Sequence, residues 1–130
     1  MFNGNGNGRE EAAEKWEQQL RKGCLEMAVL ATLAPGRSYG LEIIRALEKH
    51  SNLVLSEGTI YPILNRLRQD GLVHAVWVDS GSGHPRKYYS LSAAGRARAS
   101  GMAETWLDFA AGLTALVEPL VRSRNGRTAK

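Results

Sequence analysis

One predicted helix, capped by Ser56 and ended by Gly71, carries the side chains best suited to contacting another molecule. At about 100° per residue, one face of this helix lacks large aliphatic residues. That face contains Gly58, Pro62, Asn65 and Gln69, flanked by Tyr61 and Arg66. The side chains of this face are small at the N-terminal end of the helix and polar to basic further on, which suits a helix whose first turns enter a DNA major groove. An ordinary amphipathic surface helix has the same pattern, so the neighbouring sequence must decide between the two.

The other chemically reactive residues form no recognisable catalytic or metal-binding pattern. His50, His74 and His84 fall in a predicted loop, strand and turn, without paired carboxylates nearby. The sequence has no Gly-rich phosphate loop, and Cys24 has no histidine or acid at informative spacing, so we interpret this cysteine as a packing residue. A metal sensor built on Cys24 and a histidine is an alternative that no ligand spacing supports. We therefore expect no enzymatic activity, no metal and no cofactor.

Composition and charge indicate one globular domain with a basic surface. Of the 130 residues, 43% are hydrophobic and 23% are charged, and the one cysteine excludes an internal disulfide. No apolar run reaches the roughly 18 residues that span a membrane, and the polar N-terminus lacks a signal peptide's apolar segment, so we expect a cytoplasmic protein. The net charge of +4 gathers in residues 56–98 and 122–130. Such clustering is consistent with contacts to nucleic-acid phosphates.

The N-terminal third is predicted to contain a flexible arm and a helix. Residues 1–8 alternate Asn and Gly and should form the arm. The helix begins near Arg9, and we expect Gly23 to weaken or briefly break it. Residues 24–33 are apolar on nearly every side, which indicates contacts from more than one direction, including a second subunit.

The helix described first is predicted to be the second helix of a helix-turn-helix. Ser38 caps the first helix, which covers 39–49. In the second helix an aliphatic stripe faces the core, formed by Ile60, Ile63, Leu64 and Leu67. Pro62 lacks the N–H that would pair with the carbonyl of Gly58, so we expect a distorted first turn.

A β-hairpin is predicted to follow this pair of helices. Residues 72–79 and 86–91 are rich in β-branched and aromatic residues, and a Gly-Ser turn separates them. Helix-turn-helix followed by a hairpin is the winged-helix arrangement. Arg86 and Lys87 at the base of the wing suit phosphate contacts, although a basic pair beside a Gly-Ser turn is also common on solvated surfaces.

A long last helix, capped by Ser92, is predicted from Ala93. Its apolar residues alternate at spacings of four and three. This seam consists of Met102, Trp106, Phe109, Leu113, Leu116 and Leu120. Such a seam predicts a two-fold homodimer, whose recognition helices would lie about one DNA turn apart, or a multiple of it, on a pseudo-palindromic operator. We expect Pro119 to end or kink the helix and residues 122–130 to form a basic, poorly ordered tail.

Several motifs in one order resemble the PadR family of bacterial winged-helix transcriptional regulators. They are SEGTIYPILNRL at 56–67, DGLV at 70–73 and GHPRKYYSLSAAG at 83–95, with RKG at 21–23 and SYGLEII at 38–44. The resemblance covers roughly residues 20 to 120, although Ser90 stands where the family often has a basic residue and Ser92 where it usually has threonine. It implies a mainly α protein with a small β-hairpin (α+β). The winged helix-turn-helix domain would span 9–91 and the single C-terminal dimerisation helix 92–121, as in the short subfamily.

The resemblance also implies a function and its residues. Members are dimeric DNA-binding proteins, usually repressors, and in this chain Thr59, Tyr61, Pro62, Arg86 and Lys87 would face double-stranded DNA. To these we add three residues from helical geometry alone: Gly58, Asn65 and Arg66.

Trp106 has two interpretations. In drug-responsive members that this chain resembles, a tryptophan on the last helix stacks on flat aromatic ligands at the dimer centre, so Trp106 would bind a small planar aromatic effector. Alternatively, Trp106 only fills the dimer seam. For the whole chain, the alternative to a DNA-binding regulator is a winged-helix module that binds proteins and not DNA.

Overall fold

The computed structural model describes residues 4–129 apart from positions 52, 54, 80 and 82, and side chains between residues 8 and 123. Within these residues the chain forms four helices and three strands. They are α1 (Gly4–Thr32), β1 (Ser38–Tyr39), α2 (Gly40–His50), α3 (Glu57–Gln69), β2 (Val73–Val78), β3 (Arg86–Leu91) and α4 (Ala93–Ala129). This order confirms the predicted mainly α winged-helix class with a hairpin and a long C-terminal helix. In the described part of the chain, no helix has a stretch long and apolar enough to cross a membrane.

The sheet contains one strand more than the sequence predicted. Its order is β1-β3-β2, with all neighbours antiparallel, and β1 places Tyr39 opposite Tyr88 of β3. We expected Ser38 to cap a helix starting at Tyr39, but both residues pair with β3 and α2 begins at Gly40. Pairing with β3 keeps both residues extended, so the helix starts one residue later than predicted. Glu42 secures the start of α2, because its Oε1 accepts a hydrogen bond from the Tyr39 N–H at 3.2 Å.

The core lies between α1, α2, α3 and the sheet. All four residues of the predicted stripe on α3 are buried, together with aliphatic residues of α1 and α2. These additional core residues are Val29, Leu30, Leu33, Ile43, Ile44 and Leu47. The α1 contribution comes from the segment that we predicted to have contacts on several sides.

Helix α3 ends as predicted but starts differently. Gly71 has φ +76°, its N–H bonds the carbonyl of Arg68, and the N–H of Leu72 bonds the carbonyl of Leu67, which is the Schellman pattern. Ser56 occupies the N-cap position without a side-chain cap bond. Its Oγ instead lies 3.2 Å from the Thr59 hydroxyl, a neighbour that competes with the backbone for it.

The helices continue through their interior glycine and proline residues, so Gly23 does not break α1 and Pro119 does not end α4. The weakening at Gly23, the kink at Pro119 and the distortion at Pro62 stay predictions. α3 continues through Pro62, α1 continues through Gly23, and α4 does not end at Pro119 but reaches Ala129. A glycine costs a helix only about 1 kcal/mol relative to alanine, and a proline about 3 kcal/mol, because it removes one backbone hydrogen bond and crowds one carbonyl. Established helices on both sides outweigh these local costs, since extending a helix is easier than nucleating one.

Two helices extend further than predicted, because adding residues to an existing helix is easier than starting one. α1 begins at Gly4 and not near Arg9, so the predicted flexible arm 1–8 is helical from residue 4, while residues 1–3 lie outside the described part. The predicted tail 122–130 is helical up to residue 129, and residue 130 lies outside the described part.

Ser92 joins the end of α3 to the start of α4. Its Oγ donates to the carbonyl of Gly71 at 2.6 Å and accepts from the N–H of Gly95 at 2.9 Å, which confirms the predicted cap. The Ser92 N–H donates to the carbonyl of Leu72 at 3.0 Å. A Cβ atom at position 95 would clash with the same Leu72 carbonyl, so only glycine permits this close approach.

This junction yields a stability prediction. Gly95→Ala should lower the free energy of unfolding by about 2–3 kcal/mol, because backbone must move to make room for the methyl group. Gly112→Ala on the same helix is the matched control, since a Cβ there meets nothing within 4 Å, and it should raise stability by up to about 1 kcal/mol. Urea unfolding of both variants measures the difference, and equal effects at the two positions would contradict the Ser92 junction.

Candidate nucleic-acid interface

The predicted reading face of α3 points to solvent. Packing of the aliphatic stripe in the core leaves the opposite side of the helix uncovered. All the residues that we assigned to DNA on this helix are exposed: Gly58, Thr59, Tyr61, Pro62, Asn65 and Arg66. Their side chains are therefore accessible, but they do not all share one site.

A surface groove of about 540 Å³ lies between α3 and the wing. Tyr61 and Asn65 contribute from α3, and Arg86 and Lys87 from β3. The structure thus brings together four of the eight residues that we predicted to contact DNA. Gly58, Thr59 and Pro62 are on the same helix outside the groove lining.

Tyr61 lines this groove and packs against the start of α2. A Cβ atom at Gly40 would lie 2.5 Å from the Tyr61 Oη, so the tyrosine ring lies directly against the backbone of Gly40. Burial, and then the nearby carboxylate of Glu57, raise the pKa of Tyr61 above its usual 10.0. The phenol therefore keeps its proton at neutral pH and can donate a hydrogen bond to a base or a phosphate oxygen.

Arg66 is directed toward α1 and not into the groove. Its Nη2 lies 3.5 Å from Glu26 Oε1, while Arg98 Nη1 of α4 lies 3.1 Å from Glu26 Oε2. Glu26 thus links the recognition helix to α4. Arg68, the next basic residue of α3, donates to Asn65 Oδ1 at 3.0 Å and so lies beside the groove.

Sequence reasoning missed the aromatic walls of the groove. Tyr39 and Trp77 line it, and both lie close to basic residues of the wing. The Arg86 guanidinium carbon lies 4.6 Å from the Tyr39 ring centroid, and Lys87 Nζ lies 5.7 Å from that of Trp77. Trp77 lies directly opposite Lys87 in the register of β2 and β3, and Tyr39 could be placed only through its non-local pairing with β3.

A second recess, apolar and about 690 Å³, lies between α1 and α4. Trp106, Met102 and Phe109 line it from α4, and Cys24 and Met27 from α1. Trp106 also borders a neighbouring recess of about 590 Å³ that includes Trp16. No group of three or more histidine, cysteine, aspartate or glutamate residues that could hold a metal ion occurs among the residues described.

A helix-turn-helix whose exposed helix faces a basic wing defines a winged-helix DNA-binding regulator. The family model described as "Transcriptional regulator PadR-like family" matches residues 29–100, more than half of the chain. The chain belongs to this family, which confirms the resemblance seen in its motifs. It is therefore a transcriptional regulator, and members of the family act as regulators and not as enzymes.

Solved structures of the same family are similar over nearly their full length. A PadR-like transcription factor from Bacteroides fragilis is 33% identical with a TM-score of 0.65, over 78% of this chain and 98% of that one. A PadR family regulator from Eggerthella lenta is 29% identical with a TM-score of 0.74, over 85% and 96%. A PadR-like regulator from Bacillus cereus is 30% identical with a TM-score of 0.70, over 76% and 96%.

The tyrosines of the groove yield a pH prediction. Burial, and then proximity to Tyr61, raise the pKa of Tyr89, although Arg68 opposes the shift. Folding therefore retains protons on Tyr61 and Tyr89 that the unfolded chain releases near pH 10, and the free energy of unfolding should fall as pH rises above about 10. Ultraviolet titration of tyrosinate measures the two pKa values. Tyr61→Phe should remove one late-titrating group, and ionisation of both groups at the unfolded-chain value would contradict this geometry.

Proposed function

We propose that this regulator binds a pseudo-palindromic operator as a homodimer and represses transcription until a planar aromatic effector releases it. The observation that carries the DNA-binding part is the groove in which Tyr61 and Asn65 of α3 face Arg86 and Lys87 of β3. A protonated phenol and an amide suit hydrogen bonds to base edges, while the two cations suit phosphates. The small exposed residues Gly58, Thr59 and Pro62 let the first turns of α3 approach the floor of a major groove.

Substitution of Tyr61 tests the reading function. Because this side chain is 40% exposed, Tyr61→Ala should leave the fold and any dimer intact but reduce affinity for wild-type-selected duplexes to that for random-sequence duplexes. Gel-shift titration on both DNA pools measures this ratio. Gln18→Ala, an exposed and uncharged change on α1, is the control and should preserve discrimination. Undiminished discrimination by Tyr61→Ala would contradict the assignment.

The exposed apolar seam of α4 supports the homodimer. Phe109, Leu113, Leu116 and Leu120 are all solvent-exposed in the single chain, at the heptad-like spacing. On α1, Trp16 and Leu20 are also exposed, so a neighbouring apolar surface could complete the contact. A contiguous apolar surface of this kind is a common mark of a protein interface.

One charge in the seam should prevent association. Leu116, 74% exposed, can become Glu without loss of core packing, but a second chain would then bury an unpaired carboxylate. Sedimentation equilibrium should show at least about tenfold weaker self-association for Leu116→Glu. Ala111→Glu, exposed and opposite the seam on a helical projection, should associate normally. Equal association of both variants would argue against the α4 seam.

The recess around Trp106 supports the proposal that a planar aromatic effector binds between α1 and α4. Its walls are mostly apolar and include an indole that is 39% exposed, which suits stacking on a flat aromatic molecule. Arg98 also lines this recess and shares Glu26 with Arg66 of α3. A ligand that displaces Arg98 would thereby change the restraint on the recognition helix, which provides a physical route from ligand to DNA.

Fluorescence tests the effector site. In a Trp16→Phe/Trp77→Phe background Trp106 is the one remaining tryptophan, and planar aromatic compounds should quench its emission and weaken DNA binding. Adding Trp106→Phe should abolish the effect on DNA binding. An undiminished ligand response without Trp106 would show that this residue only fills the dimer seam.

A chain that associates through α4 but binds no duplex DNA would instead favour the alternative function, a winged-helix module that binds proteins.

A further inference from the structure

Two tyrosines meet where β1 pairs with β3, and an arginine lies over each of their rings. The guanidinium carbon of Arg37 lies 4.8 Å from the Tyr88 ring centroid, and that of Arg86 lies 4.6 Å from the Tyr39 centroid. The two rings meet edge to face, with centroids 5.4 Å apart and planes at 75°. We refer to these four residues as the arginine–tyrosine stack.

The sheet register produces this stack. Tyr39 and Tyr88 are directly opposite each other across β1 and β3, so their side chains project from the same face. Arg37 immediately precedes β1 and Arg86 opens β3, which places one cation beside each ring. A cation–π contact at an exposed site contributes about 0.5–1 kcal/mol, and here it reduces the freedom of two otherwise mobile side chains before any ligand arrives.

In the described part of the chain, the charges of the stack take part in no ion pair. Among the residues that the structure describes, the ion pairs use Arg21, Arg66, Arg98 and Arg122, and neither arginine of the stack takes part. A guanidinium beside a ring keeps five N–H donors, which can bind an oxyanion in a bidentate manner.

The stack borders the proposed reading face. Tyr39 and Arg86 line the groove together with Tyr61, and α2 begins immediately after Tyr39, at the glycine that Tyr61 contacts. When α3 lies in a major groove, the anions that border this face are phosphodiesters of the flanking strand.

We propose that Arg37 is a phosphate-binding residue, held by Tyr88 so that Arg37 and Arg86 bind neighbouring stretches of one DNA strand. This assignment rests on the proposed function, because it requires α3 and the wing to face DNA. It adds a contact from the segment between α1 and α2, outside the recognition helix and the wing.

The first test is the salt dependence of binding. Arg37→Ala should weaken binding to selected and random duplexes of about 30 base pairs by the same factor, about tenfold at 0.1 M salt, and reduce the slope of log K against log salt by about 1.8, because each protomer of the proposed homodimer loses one phosphate contact. Arg37→Lys, which keeps the charge but loses the planar stack, should restore the slope and only part of the affinity. Arg21→Ala, at an exposed arginine of α1 paired with Glu17, should change neither quantity.

The second test locates the contact. Replacing single phosphates of the duplex by neutral methylphosphonates should reveal a position that weakens wild-type binding but no longer affects Arg37→Ala. Thermal unfolding of each variant checks that the fold is kept, since Arg37 is exposed. Two results would overturn the role of Arg37 but not the proposed function. One is an unchanged salt slope for Arg37→Ala, and the other is a methylphosphonate effect that is the same in Arg37→Ala as in the wild-type protein at every position. Wild-type protein without salt-dependent DNA binding would overturn the proposed function and this assignment together.

Discussion

Burial of one aliphatic stripe on α3 is the interaction on which the rest of the structure depends. Ile60, Ile63, Leu64 and Leu67 are all buried, and each contributes about 1.5–3 kcal/mol of hydrophobic stabilisation. Because these side chains fix the rotation of the helix, the polar face must point to solvent. The Schellman end at Gly71 and the Ser92 junction then fix where the hairpin and α4 begin relative to that face. A change in the stripe would therefore alter the reading face, the wing and the start of α4 together.

The candidate site lies where α2, α3 and β3 meet. Gly40 lets Tyr61 approach the start of α2, and β3 places Arg86 and Lys87 across the groove from α3. On the other side of α3, Arg66 and Arg98 share Glu26, so α3 is linked to both long helices. Exposed ion pairs of this kind are individually weak, about 0–1 kcal/mol, so this link contributes far less than the buried stripe.

Features set by local chemistry were predictable from sequence, and features set by distant partners were not. The α3 stripe, the glycine end, the hairpin and the Ser92 cap depend on spacing and turn residues within a few positions. The strand β1 has only two residues and exists because β3 lies beside it, so its own sequence gives little signal. The partner of Arg66 is likewise 40 residues away. At Gly23 and Pro119 the local cost of a glycine or a proline predicts an interruption. The helices continue through both positions because the helical segments on either side outweigh this cost.

Amide hydrogen exchange with and without duplex DNA tests the central claim most directly. If α3 and the wing form the DNA-binding surface, selected DNA should slow exchange in the first turns of α3, at the start of α2 and along β3. Exchange in the second half of α4 should be unchanged by DNA. Slower exchange confined to α1 and α4, with α3 and β3 unchanged, would contradict the account.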